Sequence, residues 1–494
     1  MRVLLRPRWA LALVLPLCTL LPKHLARAEA PAAVASATPA QPELSASLQR
    51  ALDELGAWAK QHRGSLGAAI QEVGSAAPLA AHGERRLLNP ASNQKIVTAA
   101  AALARLGPAY RYTTGLYGKL RGEVMSQLTL RGHGDPSLQT ADLYAMAEAL
   151  VGMGLRRIEG DVLVDQSRFD DAFVPPAFGQ QPDEWAAFRA PVSAVAIDRN
   201  AIEMNVFPGA PGKPAHVWFS PPNAVEVAGA VTTEAQGKGQ AVRWSLAPGG
   251  KKLKATIGGH VAAGLPRLRF SRRLDDPRLV PGFVLAQALE RFGVKIGGKV
   301  SLGGANETHR LVHHESPPLS ELLAELGKRS DNFYAEMIFK TLGAESGSTP
   351  ARSADGATVV LDHLKQVGAL EPKTTIKNGS GLFDANLISA ASLVKVLDAA
   401  ARDPRLAPEF IAQLAVGGVD GTLRSRFREH RDRRAVRAKT GTLNDVVALS
   451  GYVLGPDGKP PVAFSFIVAD VRGKHHESRR RIDRIVNEIV EARW

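Results

Sequence analysis

The stretch Asn89-Pro90-Ala91-Ser92-Asn93-Gln94-Lys95, followed by the alanine-rich run Ile96 to Leu106 and Gly107, decides how this chain is read. Pro90 suits the first turn of a helix and Gly107 its C-terminal cap, so the sequence predicts a helix that opens at Ser92. Lys95 lies three residues on, on the same face one turn later. A serine hydroxyl is a weak nucleophile until a neighbouring base takes its proton. A lysine fills that role only when burial and a second cation close by lower its pKa towards the working pH.

Two further motifs follow in order: Ser330-Asp331-Asn332 and Lys439-Thr440-Gly441-Thr442. Ser330-Asp331-Asn332 falls between two expected helices, Pro318 to Leu326 and Asn332 to Leu342. By itself it reads as a helix-capping cluster. Lys439 to Thr442 belongs to an expected strand, Ala438 to Leu443, in which Gly441 is out of place unless something approaches the backbone closely. As a set, the three motifs supply the parts of serine acyl transfer. Ser92 is the nucleophile and Lys95 the base, with Lys439 as the second cation. Ser330 relays a proton to the leaving amine and Asn332 binds a substrate amide. Lys439, Thr440 and Thr442 hold a terminal carboxylate, Gly441 admits the substrate, and the N–H groups of Ser92 and Thr442 form an oxyanion hole. No cofactor and no metal is called for.

Ser-x-x-Lys occurs a second time, at Ser392-Leu393-Val394-Lys395. There Ser392 follows Ser389 in an amphipathic helix, and Lys395 has Asp398 as a partner on the exposed face. That copy reads as structural, because only the Ser92 copy precedes the other two motifs and opens its helix beside a turn.

The N-terminus reads as a secretory signal, residues 1–28: Arg2, Arg6 and Arg8, an apolar run from Trp9 to Leu21, and a small-x-small site at Ala26-Arg27-Ala28. An uncleaved anchor is the other reading. The Ala/Pro-rich residues 29–43 read as a tether. The single cysteine, Cys18, lies inside the signal after bulky Leu17, which disfavours lipid attachment. The mature chain then has no thiol for disulfides, nucleophilic attack or zinc. Removing the signal takes five positive charges from a formal net charge of +14. The surplus fits an anionic partner, lipid or cell-wall polymer, through a weak membrane or wall association, or it has no specific partner. Export makes nucleic acid the poorest fit.

The fold class expected is α/β (α+β): an antiparallel sheet flanked by helices, interrupted by inserted mainly-β domains. After the Lys439 strand come Val446 to Leu454 and Pro461 to Val471, joined at Gly455-Pro456-Asp457-Gly458. A closing helix with an apolar stripe of Ile482, Ile485, Val486, Ile489 and Val490 docks on the sheet. Between Tyr117 and Ser301 the pattern is of short strands: Gln127 to Leu130, Asp161 to Val164, Ala201 to Val206, Val242 to Leu246 and Arg267 to Phe270. One helix interrupts them, Ala141 to Val151. Because motifs that share a cleft lie on both sides, 117–301 reads as an insertion, of two subdomains, into a catalytic domain formed by 44–116 and 302–494.

With this insertion, the three motifs resemble the penicillin-binding protein and serine β-lactamase superfamily. More narrowly they resemble the D-alanyl-D-alanine carboxypeptidase/endopeptidase family of low-mass, class C penicillin-binding proteins, peptidase S13. Gly160 to Asp165, Ile197 to Asn200, Gly379 to Leu382 and Gly418 to Thr422 add to the likeness, which runs from about Leu44 to the C-terminus. The resemblance implies that Ser92 attacks the D-Ala-D-Ala peptide of peptidoglycan muropeptides in the periplasm. D-alanine leaves and water hydrolyses the acyl-enzyme. Some members also cut D-Ala-diaminopimelate cross-links, and β-lactam antibiotics acylate the serine as covalent inhibitors. It also implies an acidic residue before Gly-Ser-Gly-Leu and a Ser-Arg pair after it, where this chain has Asn378, Phe383 and Asp384. Asp165 is implied near the cleft, facing the ammonium of the substrate side chain. Two alternatives share the motifs: a serine β-lactamase, and a non-catalytic cell-wall-binding protein. Against the first, this chain has neither the compactness nor the Glu-bearing loop of class A enzymes; the second does not account for an intact set of site residues.

Overall fold

The computed structural model describes residues 41–494 apart from 182–183, 222–223, 250–251, 305–308 and 457. The signal segment, all of the tether before Gln41, and Asp457 of the expected turn lie outside the described residues. The helices, in chain order, are α1 (Gln41–Gln61), α2 (Gln94–Leu106), α3 (Thr140–Gly152), α4 (Val280–Arg291), α5 (Leu319–Gly327), α6 (Asn332–Glu345), α7 (Ser353–Gln366), α8 (Ala390–Arg402), α9 (Ala407–Ala412) and α10 (His475–Arg493).

A six-stranded antiparallel sheet is built from the residues on either side of the intervening region. Its order is Ala415–Val416, Val436–Thr442, Val447–Val453, Val462–Ala469, Ser65–Glu72, Ala80–His82. Side chains alternate across a strand, so one strand feeds two cores. Val462, Phe464, Phe466 and Val468 meet Leu48, Leu52 and Leu55 of α1 and the predicted stripe of α10, from Ile482 to Val490. Ala463 and Ile467 turn the other way, towards Ile96 and Val97 of α2 and Leu393 and Val396 of α8. Burial on both faces explains why these strands read as continuous apolar runs. No element is expected before Asn89. Yet α1 and Ser65–Glu72 are integral, the strand pairing along its length with Val462–Ala469.

The intervening region carries more helix than expected. A five-stranded sheet runs Val300–Leu302, Val162–Asp165, Leu128–Gly132, Thr113–Tyr117, Arg310–Glu315, so it draws strands from outside the expected limits at Tyr117 and Ser301. It is mixed: Val162–Asp165 lies parallel to both of its neighbours. The predicted helix is α3, but α4 is a second helix that the sequence reading missed. Pro281-Gly282 looks like a turn; here Pro281 occupies the first turn of α4, where proline is well tolerated. Gly282 lets α4 lie close on the sheet, since a Cβ there would stand 2.5 Å from methyl groups of Val164 and Val300. The longest strand of this region, Lys252–Ala262, was also missed; Gly258-Gly259 interrupts the alternation of its buried Leu253, Ala255 and Ile257. It pairs with Gln240–Gly249, which contains the predicted Val242 to Leu246.

Gly282→Ala should therefore lower stability by about 1–3 kcal/mol, the range for overpacking a filled core. Comparison of thermal unfolding of the two proteins checks this.

Candidate active site

Ser92 sits in a single 3-10 turn, Ala91–Asn93, that runs directly into α2. The entry is tight. Ala91 has φ +48, outside the usual region for a non-glycine residue, and is held by its N–H on the Asn89 side chain at 2.9 Å. Asn93 is buried and reaches between two strands. In the orientation that satisfies both ends, its amide donates to the Lys439 carbonyl at 2.9 Å and accepts from Ser450. The first motif is thus fastened to the third through a residue that sequence reading passed over.

The Lys95 ammonium is buried and donates to three acceptors: Ser92 Oγ at 3.1 Å, Asn332 Oδ1 at 2.7 Å and the Ser380 carbonyl at 2.7 Å. Burial lowers its pKa from 10.5 to about 7, against the opposing charges of Glu336 and Asp331. Desolvation, one of the two effects expected above, is the largest cause. Lys439, also buried, donates to Ser330 Oγ at 2.8 Å and to the Thr440 carbonyl at 2.7 Å. Burial, then the Lys95 charge, holds it well below its ordinary value.

Ser330-Asp331-Asn332 is both cap and site. Asp331 caps α6, accepting from Tyr334 N–H at 3.1 Å. Ser330 before it, at φ +62, and Asn332 after it turn to the two lysines. The Asn332 amide nitrogen donates to the Phe188 carbonyl of the intervening region at 3.0 Å.

Gly441 has a reason within the fold itself. A Cβ there would lie 2.9 Å from the Pro90 carbonyl and 3.1 Å from Ala91 Cβ. The turn that carries Ser92 makes a close approach there. Strand Ala415–Val416 pairs only as far as Ala438, so the edge beyond it is open. Leu443 exchanges hydrogen bonds with Val446, at 3.0 and 3.3 Å, and strand alternation then turns the Thr442 N–H to that open edge. The Thr440 hydroxyl meets Thr422 of the Gly418 to Thr422 stretch at 2.8 Å. Arg479 of α10 donates to Thr442 Oγ1 at 3.1 Å. A cleft of about 620 Å³ opens past Thr440, Gly441, Thr442 and Arg479. A second, of about 460 Å³, runs from Thr442 past Phe188, Phe383, Asp384 and Arg472.

Glu336 is the residue most clearly missed. One turn after Asn332, it is fully buried and accepts from Gly379 N–H at 3.1 Å and Ser380 N–H at 2.8 Å. Burial pushes its carboxyl up, against those two donors. It fixes the loop whose Ser380 carbonyl binds Lys95. A lone Glu within the apolar run Phe333 to Phe339 was the available signal.

Two residues singled out in the sequence have partners other than those expected. Asp165 is buried in the five-stranded sheet, with Arg131 Nε at 2.7 Å and Ser167 Oγ at 2.6 Å on its carboxylate. These partners hold the carboxylate within the sheet. In the second Ser-x-x-Lys, Ser389 caps α8 and its hydroxyl donates to buried Ser392 at 2.9 Å. Lys395 donates to the Gly368 carbonyl at 2.8 Å, while the predicted partner Asp398 pairs with Arg402. Asp384 is exposed on the second cleft, 3.3 Å from the Asn89 amide nitrogen.

A serine and a buried lysine at a helix start, facing an open strand edge that carries lysine and glycine, define an active-site serine acyl-transfer enzyme with a β-lactamase-like catalytic domain. Comparison with known proteins narrows the class. The D-Ala-D-Ala carboxypeptidase 3 (S13) family matches residues 48–489, and the chain belongs to that family. It is 34% identical over 400 residues to a D-alanyl-D-alanine carboxypeptidase of an Actinomadura species, covering 77% of this chain and 73% of that one. It is 25% identical over 384 residues to D-alanyl-D-alanine carboxypeptidase DacB of Haemophilus influenzae, covering 76% and 80%. Among solved structures, penicillin binding protein 4 of Haemophilus influenzae superposes with a TM-score of 0.74 at 23% identity, over 90% of this chain and 99% of that one. That protein has also been solved with a β-lactam bound.

Gly381 offers a test of how the site is built. It has φ +76, and a Cβ there would stand 1.8 Å from the Ala91 carbonyl. Gly381→Ala should cost on the order of 3 kcal/mol, through backbone strain and overlap together. Thermal unfolding checks it.

Proposed function

We propose that this protein is a serine-type D-Ala-D-Ala carboxypeptidase that acts on peptidoglycan stem peptides through an acyl-enzyme on Ser92. The observation that carries the reading is the Ser92 Oγ to Lys95 Nζ contact of 3.1 Å, made by a lysine whose pKa burial brings to about 7. Near neutral pH much of Lys95 is unprotonated, and the Ser92 hydroxyl then donates to it. As Lys95 takes that proton, Ser92 Oγ bonds to the carbonyl carbon of the penultimate D-alanine. The N–H groups of Ser92 and Thr442 hold the oxyanion. When the C–N bond breaks, the leaving amine takes a proton through Ser330, which Lys439 holds at 2.8 Å. Water then hydrolyses the ester and returns Ser92.

Lys439, Thr440 and Thr442 bind the terminal carboxylate, and Arg479 adds positive charge beside Thr442. Asn332 orients a substrate amide once the Phe188 carbonyl gives way. The cleft of about 620 Å³ has room for a leaving portion larger than D-alanine, which supports a DD-endopeptidase activity on cross-links alongside the carboxypeptidase. β-Lactams acylate Ser92 as mimics of the substrate, their ring opening at the amide bond. Since Asp384 replaces the arginine implied by the family pattern, recognition of the stem-peptide side chain rests on other residues of the second cleft. The basic, apolar N-terminus supports export to the periplasm. Among the described residues no helix is long and apolar enough to cross a membrane.

Two outcomes test this. A labelled penicillin should attach to Ser92, with Ser92→Ala abolishing the adduct while the fold is kept; a label mapped to Ser392, or no adduct on the unmodified protein, sinks the assignment. The second is pH dependence. Because the neutral lysine is the active form, acylation should rise about ten-fold per pH unit below about 6 and level off above about 8. A flat profile across that range would count against Lys95 as the base. Incubation with monomeric and cross-linked muropeptides, with products weighed by mass spectrometry, separates the two peptidase activities.

A further inference from the structure

Arg199 enters the second motif from outside the catalytic domain. Its guanidinium donates through Nε to Asp331 Oδ2 at 2.9 Å and through a terminal nitrogen to Glu325 Oε2 at 3.0 Å, and lies 5.1 Å over the Tyr334 ring. One cation thus ties α5, which carries Glu325, to the N-terminus of α6.

The turn that delivers it is unusual. Asp198, Arg199 and Asn200 have φ of +48, +59 and +49, three consecutive left-handed residues without a glycine. Such a run is unfavourable for residues with a Cβ and persists only where the surroundings fix it. They do so here. The Asp198 carboxylate accepts from the Thr140 N–H at 3.2 Å and from its hydroxyl at 2.5 Å, at the start of α3. Asn200, buried, donates to the Pro191 carbonyl at 2.9 Å and to Ser193 Oγ at 3.1 Å. Both neighbours hold the turn, and the residue between them is the one that reaches out.

What Arg199 grips is central to the site. Asp331 stands between Ser330, which binds Lys439, and Asn332, which binds Lys95. One of its oxygens caps α6 and the other is held by Arg199. We propose that Arg199 is a positioning residue: by holding Asp331 and Glu325 it sets the loop between α5 and α6, places Ser330 and Asn332 against the two lysines, and offsets the Asp331 charge beside Lys95. The inserted region would then be a working part of the catalytic centre and not only a wall of the cleft.

The charge effect has a sign. Lys95 faces Glu336 and Asp331 of α6 and, across the site, Lys439 of the strand. Arg199 faces Asp331 and Tyr334 of α6 and Glu325 of α5, which also pairs with Arg329. Asp331 favours the charged form of Lys95. Without Arg199 that carboxylate is uncompensated, so Lys95 should hold its proton to higher pH.

The inference rests on the acyl-enzyme reading, and two measurements on the full chain keep the two separable. The first is the pH profile of acylation by a labelled penicillin for the unmodified protein, Arg199→Gln and Arg199→Lys. The second is the titration midpoint of Lys95 by NMR in the same proteins, which needs no reaction. Arg199→Gln should slow acylation at pH 7 about ten-fold and move both the acidic limb and the Lys95 midpoint up by about half a pH unit. Arg199→Lys, which keeps the charge, should restore the midpoint and only part of the rate. Should Arg199→Gln fail to fold, Arg199→Lys still decides, by a slowed rate at an unmoved midpoint. A limb and midpoint unmoved in Arg199→Gln, with rate following the folded fraction alone, overturns the proposal. No adduct on the unmodified protein fails the acyl-enzyme reading instead, and the NMR midpoints still judge Arg199.

Discussion

Burying the Lys95 amine is the constraint on which the remaining structure turns. An ammonium taken out of water is costly unless every N–H finds an acceptor. Here three segments far apart in sequence each supply one: Ser92 from its own turn, Asn332 from the start of α6, and the Ser380 carbonyl from the loop before α8. Each acceptor needs its own support. The Ser380 loop is held by Glu336 and by glycines that fit only because they lack a Cβ. The Ser92 turn is pinned by Asn89, by Asn93 and by the gap at Gly441. The same desolvation that demands these partners lowers the pKa to where a lysine can serve as a base. Stability and chemistry therefore set opposite requirements on one side chain.

Rigidity comes from the sheet. Strands Val447–Val453 and Val462–Ala469 are buried along their whole length, and the helices on both faces leave the Lys439 strand open only along the edge that faces the cleft. The large intervening region has its own core and meets the second motif through the Phe188 carbonyl and the Arg199 guanidinium. That contact joins elements whose sequence separation is large, which suits a site whose parts must be fixed by packing and not by chain connectivity.

What could be read from the sequence follows the range of the interaction. Ser92 and Lys95 were legible because helical spacing puts them on one face, and the α10 stripe because its period is local. The two copies of Ser-x-x-Lys were distinguished by their settings, and the settings hold: Ser392 is packed at a helix start. Gly441 was recognised as odd for its strand, but the group that crowds it comes from Pro90 and Ala91, which sequence distance hides. Glu336 and Phe188 were missed, and Arg199 was quoted only as part of the likeness, because their roles exist only once α6 meets the Ser380 loop and the intervening region. Asp165 was placed by resemblance, and the Arg131 ion pair that occupies it has no sequence signature. Helix α4 was concealed by Pro281-Gly282, a turn-like pair serving as a helix start against the sheet.

The most direct test is to titrate Lys95 itself, by NMR of protein labelled at the lysine Cε, with Lys95→Met used to assign the signal. The buried site predicts a midpoint at about 7. A midpoint near 10, the ordinary value for a solvated lysine, would contradict both the burial of this amine as described and its role as the base.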